Sequence, residues 1–491
     1  MTSPLVLGLD IGTTTCKAAV FDTDRPTTPV AVARRSSVTE QPRPGWSEAD
    51  PDAVLAAVLE CVSEVVPQVD GRSIRAIGIS GTACGAWLID AGGRPVRPAI
   101  LWNDGRAASV VAGWQADGTI DEIFARTGNV PFPGYTLPEL VWLAAHEPEA
   151  LDRATTVLFC KDWVRLALTG VRATDASEAS YVPFDIRARG WDAELFERCG
   201  MGAQTHLLPE IAPDDASFPL LPSVAAELGL RPGIPVAMGA TDIVAAVLGS
   251  GAAQPGQAVT ILGTSANSTV VSAEPDFEPF GVGIMAAMPL GTYARTMINT
   301  SGSTTLDWVA ALIADGDIAR FLSMAEACPP DADRPILVPY LANAGVVSPH
   351  PDPTARGTFA GLRVDHGAPH IARATVEGLA AAVADCYACM TTPVTDVRAV
   401  GGAARSSLLL QAIADASGAR VHRLAGEESG ARGVALLAAW AAGVWTAEEL
   451  VANLAAVEIS HTFEPEPERM QVVMDRYRAV RDDTSERWRQ W

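Results

Sequence analysis

The chain has 491 residues, 48% of them hydrophobic, eight scattered cysteines and a formal net charge of −22. That length exceeds one ordinary core and implies two domains or more, while the acidic balance speaks against a nucleic-acid or anionic-membrane partner. No apolar run approaches the roughly 18–20 uncharged residues of a membrane helix, and Met-Thr-Ser-Pro leads into a strand-like run without a basic leader, so a soluble, cytoplasmic protein is expected.

The first segment, LGLDIGTTTCKAAVFD (7–22), alternates twice: Leu7, Leu9 and Ile11, then Cys16, Ala18 and Val20. This predicts two half-buried strands joined by a tight turn over Asp10–Thr15, with Gly12 and the hydroxyls of Thr13, Thr14 and Thr15. Backbone N–H groups and hydroxyls in such a turn bind anions. Asp10 would repel a phosphate there unless a metal ion lies between them, and the same pattern also suits an ordinary hairpin. Lys17 is placed either to reach such an anion or to stand as a solvent-facing strand lysine.

Helical and strand-like runs then alternate, as expected of an α/β protein. DPDAVLAAVLECVSEVV (50–66) and TLPELVWLAAHEP (136–148) read as helices; IRAIGIS, GAWLID and TTVLFC read as strands. The Pro-rich stretch near 210–235 reads as a change of topology between two modules, assigned to residues 1–245 and 246–491. MGATDIVAAVLGSGA places Asp242 after a strand and at the start of a small-residue helix, where the macrodipole stabilises a carboxylate; a plain N-cap would look the same.

The second module opens with QAVTILGTSANSTVV (257–271), which repeats the form strand, glycine-hydroxyl turn, strand through Gly263, Thr264 and Ser265. Two such turns in separate modules could hold a polyphosphate from both sides. Phosphoryl transfer needs charge neutralisation, in-line positioning and a proton acceptor. Asp10 and Asp242 can divide that work, one helping to hold Mg²⁺ through water and the other acting as base. Gly401 and Gly402 close the strand VRAVGG and would let a planar base or ribose approach the backbone. The Cys386-x-x-Cys389 pair lies in an Ala-rich helical run without a second pair nearby and reads as core packing.

In family order these motifs resemble the FGGY family of carbohydrate kinases, over nearly the whole length. The resemblance rests on GLDIGTTTCKAAVFD, PGWSEADP, the xylulokinase-like PAILWNDGR, TDASEAS, GATDIVAAVLGSGAAQPG, ARGTFAGLRVDHGAPHIARATVEGL, GGAARSSLLLQAIAD and EESGARGVALLAA. It implies two RNase H-like domains closing a cleft over ATP and a small sugar or polyol, with Mg²⁺ as the second cofactor. By that resemblance Asp242 is the catalytic base and shares the metal site with Asp10. The turns of Gly12, Thr13 and Thr14 and of Gly263, Thr264 and Ser265 contact phosphates, and Gly401, Gly402, Ala403 and Ser406 lie near the adenosine. Ala83, Cys84, Trp102, Asp104 and Ile243 face the substrate, Asp104 on a hydroxyl and oriented by Arg106; a purely structural Asp104–Arg106 pair is the alternative. Dimers are common in the family, so a homodimer is an expectation.

The departures bear on the substrate. Xylulokinases carry Gln-Met-His where this chain has Thr82, Ala83 and Cys84, and Asn where it has Ile243. Glu139 replaces a Lys in the first signature. GTACGAWLID resembles members acting on erythritol or L-xylulose. A ketopentose such as xylulose is the expected substrate and a short polyol or tetrose the alternative; a non-catalytic sugar sensor on the same scaffold carries little weight because both acids are present.

Overall fold

The computed structural model describes residues 3–329, 332–342, 345–426 and 428–488. The first predicted hairpin is formed by β1 (Leu5–Ile11) and β2 (Thr15–Asp22), paired antiparallel. β3 (Ala31–Ser36) extends it antiparallel to β2, and β4 (Ile74–Gly81) lies parallel to β1. β5 (Ser217–Pro219) and β6 (Pro235–Ala237) complete the sheet in the order β5-β6-β4-β1-β2-β3, and residues 240–241 also pair with β4. The Pro-rich segment therefore does not separate two modules: it supplies the edge of the first sheet, a position that tolerates proline's missing N–H.

The second sheet repeats this plan. β7 (Gln257–Leu262) and β8 (Ala266–Ser272) form its hairpin; β9 (Ile284–Ala287) and β10 (Tyr293–Asn299) add antiparallel strands beyond β8. β11 (Asp396–Val400) lies parallel to β7, followed by β12 (Arg420–Leu424) and β13 (Ile459–Phe463). In both sheets a glycine-hydroxyl turn joins the two central antiparallel strands, and a parallel strand flanks the inner one. This is the duplicated α/β architecture expected of two RNase H-like domains.

Alternation decides what each face buries. Leu7, Leu9 and Ile11 on β1, with Cys16, Ala18 and Val20 on β2, pack with Val58, Cys61 and Val62 of α1 (Pro51–Val65). The opposite face, with Val6, Ala19 and Phe21, is covered by a helix from the far end of the chain, α5 below. Three helices frame the second half and the junction: α2 (Asp242–Gly249), α3 (Ala368–Ala388) and α4 (Ser407–Ser417). Cys386 is fully buried on α3 and belongs to the core of the second sheet, with Cys389 packed against it, as the helical pattern predicted.

α5 (Ser429–Ala441) fixes how the halves meet. It lies so close to the first sheet that a Cβ on Gly8 would stand 2.0 Å from the Ala431 carbonyl oxygen, and one on Gly78 1.9 Å from that of Val434. Gly8 and Gly78 are register partners on β1 and β4, so together they make a flat seat for the helix. The same intimacy recurs against α2, where a Cβ on Gly249 would lie 1.8 Å from the Ser429 oxygen and one on Gly433 2.1 Å from that of Ala245. Buried Arg432 then ties the halves by donating to the carbonyls of Pro26 (2.7 Å), Gly249 (2.9 Å) and Asn453 (2.6 Å). Asn129 adds a second stitch, donating to Ser180 and Met285 carbonyls and accepting the Met285 N–H, each at 2.9 Å.

Because a backbone carbonyl cannot move aside, Gly78→Ala is expected to lower unfolding stability by about 3 kcal/mol, the upper end for overpacked sites. Chemical denaturation measures this, and an unchanged midpoint would mean that α5 is not seated as described.

Candidate active site

Asp10 ends β1 on the face that meets α5. Its Oδ1 accepts the Ser80 hydroxyl at 2.7 Å, and a Cβ on Gly430 would lie 2.7 Å from its Oδ2. Only glycine at the start of α5 leaves room for this carboxylate. Burial raises the Asp10 pKa, while the Ser80 hydrogen bond and the Lys17 charge oppose the shift.

Asp242 opens α2 as predicted, and its Oδ1 accepts the Ile243 N–H at 2.7 Å. Burial, and second the charge of Asp10, push its carboxyl up to about 7, against hydrogen bonds from the Ile243 and Ala83 N–H groups. The two acids, far apart in sequence, thus share one site and feel each other electrostatically. A carboxyl poised near neutrality is suited to take a proton from a hydroxyl.

A buried relay, not foreseen in the sequence, holds Asp242 in place. Lys161 pairs with Asp162 at 2.7 Å and Asp175 at 2.6 Å. Burial opposes the Lys161 charge, but the two carboxylates outweigh it and hold its pKa above the ordinary lysine range. Asp175 caps the short helix Ala176–Ala179 by accepting the Ser177 N–H, and the Ser177 hydroxyl accepts the N–H of Thr241 at 3.0 Å. Glu178 on that helix is fully buried, with no hydrogen-bond partner on either oxygen among the described residues, and burial pushes its carboxyl well up.

Each turn is closed by its glycine N–H, the first being one residue longer than the second. The Gly12 N–H donates to the Thr15 carbonyl and the Gly263 N–H to that of Ser265, both at 3.0 Å. Thr14 and Thr264 are exposed; Thr13 and Ser265 are half-buried. The start of the helix Ser303–Ile313 backs the second turn, the Ser303 N–H donating to the Gly263 carbonyl at 2.7 Å. Gly401 has φ +96° and approaches the Leu262 carbonyl, where a Cβ would stand at 2.6 Å, so glycine is required there. Gly401 and Gly402 are exposed and Ala403 half-buried at the end of β11. Ser406 is buried as the N-cap of α4, its hydroxyl accepting the Leu409 N–H at 3.2 Å.

Ala83 and Ile243 are half-buried and pack on the core that contains Cys84, Tyr135 and Tyr181. Cys84 is buried with φ +66°, a strained backbone for a residue with a Cβ and one that clusters at functional sites. Trp102 is 43% exposed and donates its Nε1–H to the Thr13 hydroxyl at 2.8 Å, joining the expected substrate wall to the first turn. An aromatic series continues from it, edge to face, through Phe132, Tyr135 and Tyr181 at 6.5, 4.5 and 5.7 Å between centroids. The sequence signal for it was the Pro-flanked PFPGY, which carries no periodicity.

Asp104 is corrected. It is buried, its Oδ1 accepting the Arg106 N–H at 2.7 Å and Nε–H at 2.9 Å, its Oδ2 the Ser47 N–H at 2.6 Å and the Arg106 Nη2–H at 2.8 Å. Arg106 also bonds Glu48 at 2.7 Å and stacks 3.8 Å over Trp46. The pair is the scaffold of the loop that presents Trp102, not a hydroxyl-binding group. Glu139 is buried beside this cluster without a hydrogen-bond partner among the described residues, and burial pushes its carboxyl well up.

Comparison with known proteins adds the family. The model of the N-terminal domain of the FGGY family of carbohydrate kinases matches residues 5–249, and that of the C-terminal domain residues 258–442. The chain belongs to the FGGY family of carbohydrate kinases. It is 31% identical to a xylulose kinase of Escherichia coli (strain K12), covering 97% of this chain and 98% of that one. It is 32% identical to an erythritol kinase of Brucella abortus (strain 2308), covering 90% and 88%. A solved structure, a xyloylose kinase from Brucella ovis, superposes with a TM-score of 0.89 at 30% identity over 97% and 98% of the two chains. This FGGY protein is therefore a carbohydrate kinase, and family membership carries ATP as phosphoryl donor. No helix among the described residues is long and apolar enough to cross a membrane.

The donors around Asp10 and Asp242 fit Mg²⁺, which keeps several waters and takes one or two carboxylates together with substrate phosphates. Among the described residues there is no cluster of three or more His, Cys, Asp or Glu side chains of the kind a dedicated metal cage needs.

Three outcomes follow. If Asp242 is the base it must be ionised to act, so kcat/KM should rise with pH through about 7 and level off above it; a flat profile from pH 5.5 to 8.5 contradicts this environment for Asp242. A carboxyl whose folded pKa is raised costs stability as pH rises from its unfolded value to about 7, and the cost is full above that. Asp242→Asn should accordingly raise Tm at pH 8 while abolishing turnover. Gly430→Ala, which must displace Asp10, should lower kcat by about 10²-fold, the effect of a misplacement near 1 Å, with nucleotide affinity measured alongside to separate chemistry from binding.

Proposed function

We propose that this kinase phosphorylates a hydroxyl of a ketopentose such as xylulose, with Asp242 as general base. The observation that carries the reading is the Asp10–Asp242 pair: an acid poised near pH 7 at a helix start, beside a second acid at a glycine-hydroxyl turn. The two turns contact the phosphates of ATP from opposite sides, and Gly401, Gly402 and Ala403 border its adenosine. Asp10 and Asp242 would hold Mg²⁺, which would supply the charge neutralisation that phosphoryl transfer needs. Trp102 covers the carbon face of the sugar, Ala83 and Ile243 line it, and Asp242 takes the proton of the attacking hydroxyl. The division at residues 245/246 belongs to the same proposal, the sugar lying in the first domain and the nucleotide in the second.

A second reading, a short polyol such as erythritol, is favoured by two residues. Buried Cys84 is a weak donor and Ile243 has no polar atom, so this end of the pocket recognises fewer hydroxyls than a His-Asn pair would. The erythritol kinase relative is as similar in identity as the xylulose kinase. Coupled ADP release with Mg·ATP and a panel of C3–C6 ketoses, polyols and sugar acids decides between them. A ketopentose with the highest kcat/KM supports the first reading, and erythritol in that place the second. Cys84→His with Ile243→Asn should shift preference toward D-xylulose by about tenfold per restored hydrogen bond; an unchanged profile removes both positions from substrate selection.

A further inference from the structure

The register of the first sheet sets three charged residues in one row: Asp10 opposite Lys17, and Lys17 opposite Arg34. All three lie on the face that meets α5, and Glu428, the residue just before that helix, descends on the row. Its Oε1 takes a hydrogen bond from Arg34, and its Oε2 stands 3.2 Å from Lys17 Nζ as an ion pair, without a directed hydrogen bond from any of the described residues. The Glu428 side chain is 6% exposed, that of Lys17 27% and that of Arg34 52%. A carboxylate so buried needs a cation, and here it has two. Glu428 needs only one of them, and the looser one, Lys17, which also faces Asp10, is the one nearer the Asp10–Thr15 turn.

We propose that Glu428 is an exchangeable counter-ion for Lys17: it neutralises Lys17 in the empty enzyme and cedes it to the nucleotide phosphates, keeping Arg34 as its partner. This rests on the placement of phosphates at the first turn. The exchange is electrostatically balanced, because Glu428 is never left unpaired and Lys17 on its flexible stem changes one anion for another. Glu428 is thus a positioning residue that acts through Lys17 and links the last part of the chain to the phosphate turn of the first sheet.

Isothermal titration of the whole protein with Mg²⁺ and a non-hydrolysable β,γ-imido analogue of ATP tests this. Glu428→Gln should tighten binding about tenfold, and Lys17→Met should weaken it about as much, in the range of coupled neighbours. In the Lys17→Met background, Glu428→Gln should change nothing. Mere loss of an ion pair would lower Tm without tightening the ligand. Unchanged or weaker binding by Glu428→Gln, or an undiminished effect without Lys17, overturns the proposal. If Glu428→Gln does not fold, Arg34→Met reads the same exchange in reverse, since Glu428 then keeps Lys17 and affinity must fall; an unaltered affinity overturns it equally. Absence of analogue binding by the wild-type protein overturns the nucleotide placement itself, whereas binding that ignores these variants overturns this exchange alone.

Discussion

The site depends on one steric constraint, the seating of α5 backbone-to-backbone on the first sheet. Glycines 8 and 78 on the sheet, and glycines 249 and 433 where α5 meets α2, lack the Cβ atoms that would hold the helix away, each by a contact that would fall between 1.8 and 2.1 Å. Interiors packed at this density do not deform smoothly, so the helix has a single depth and register. That depth puts Gly430 against Asp10, Glu428 over Lys17, and Ser429 against the end of the helix that Asp242 begins. Residues from the start, middle and end of the chain converge because small residues permit it.

Electrostatics then acts on a site whose geometry is already set. Burial lifts Asp242 toward neutrality, and the neighbouring Asp10 adds to the effect, since two acids in reach of each other cannot both ionise freely. The Lys161–Asp162–Asp175 cluster, wholly inside the protein, is not justified by stability alone, since buried ion pairs often break even against apolar packing. Its position explains it: through Asp175 and Ser177 it holds the backbone of Thr241, the residue before Asp242. The start of the helix that carries Asp242 therefore rests on a rigid floor.

Much of this was legible in the chain itself. Period-2 alternation around a glycine-hydroxyl turn located both hairpins, and the small-residue run after Asp242 located α2, because local patterns carry those elements. The Pro-rich segment misled, since proline marks an edge strand as well as a boundary, and only pairing with β4 through β6 distinguishes the two. Asp104 was read toward substrate because D-x-R in a loop has the same spacing whether it points outward or in; four protein donors on its oxygens decide the matter. Lys161, Glu178 and Glu428 passed unweighed because a charged residue within a family-like segment shows no burial in its sequence. The covering of the first sheet by α5 has no local signature at all: it is written in glycines hundreds of residues from the helix they receive.

The measurement that tests the central claim most directly is ADP release by Asp242→Ala, in the presence of its best sugar and Mg·ATP, with nucleotide affinity determined on the same sample. If Asp242 is the base of a site assembled as described, the variant binds nucleotide as the wild type does and loses turnover by several orders of magnitude. Turnover near the wild-type rate with intact binding would contradict the account, and the proton acceptor would have to be sought elsewhere in the cleft.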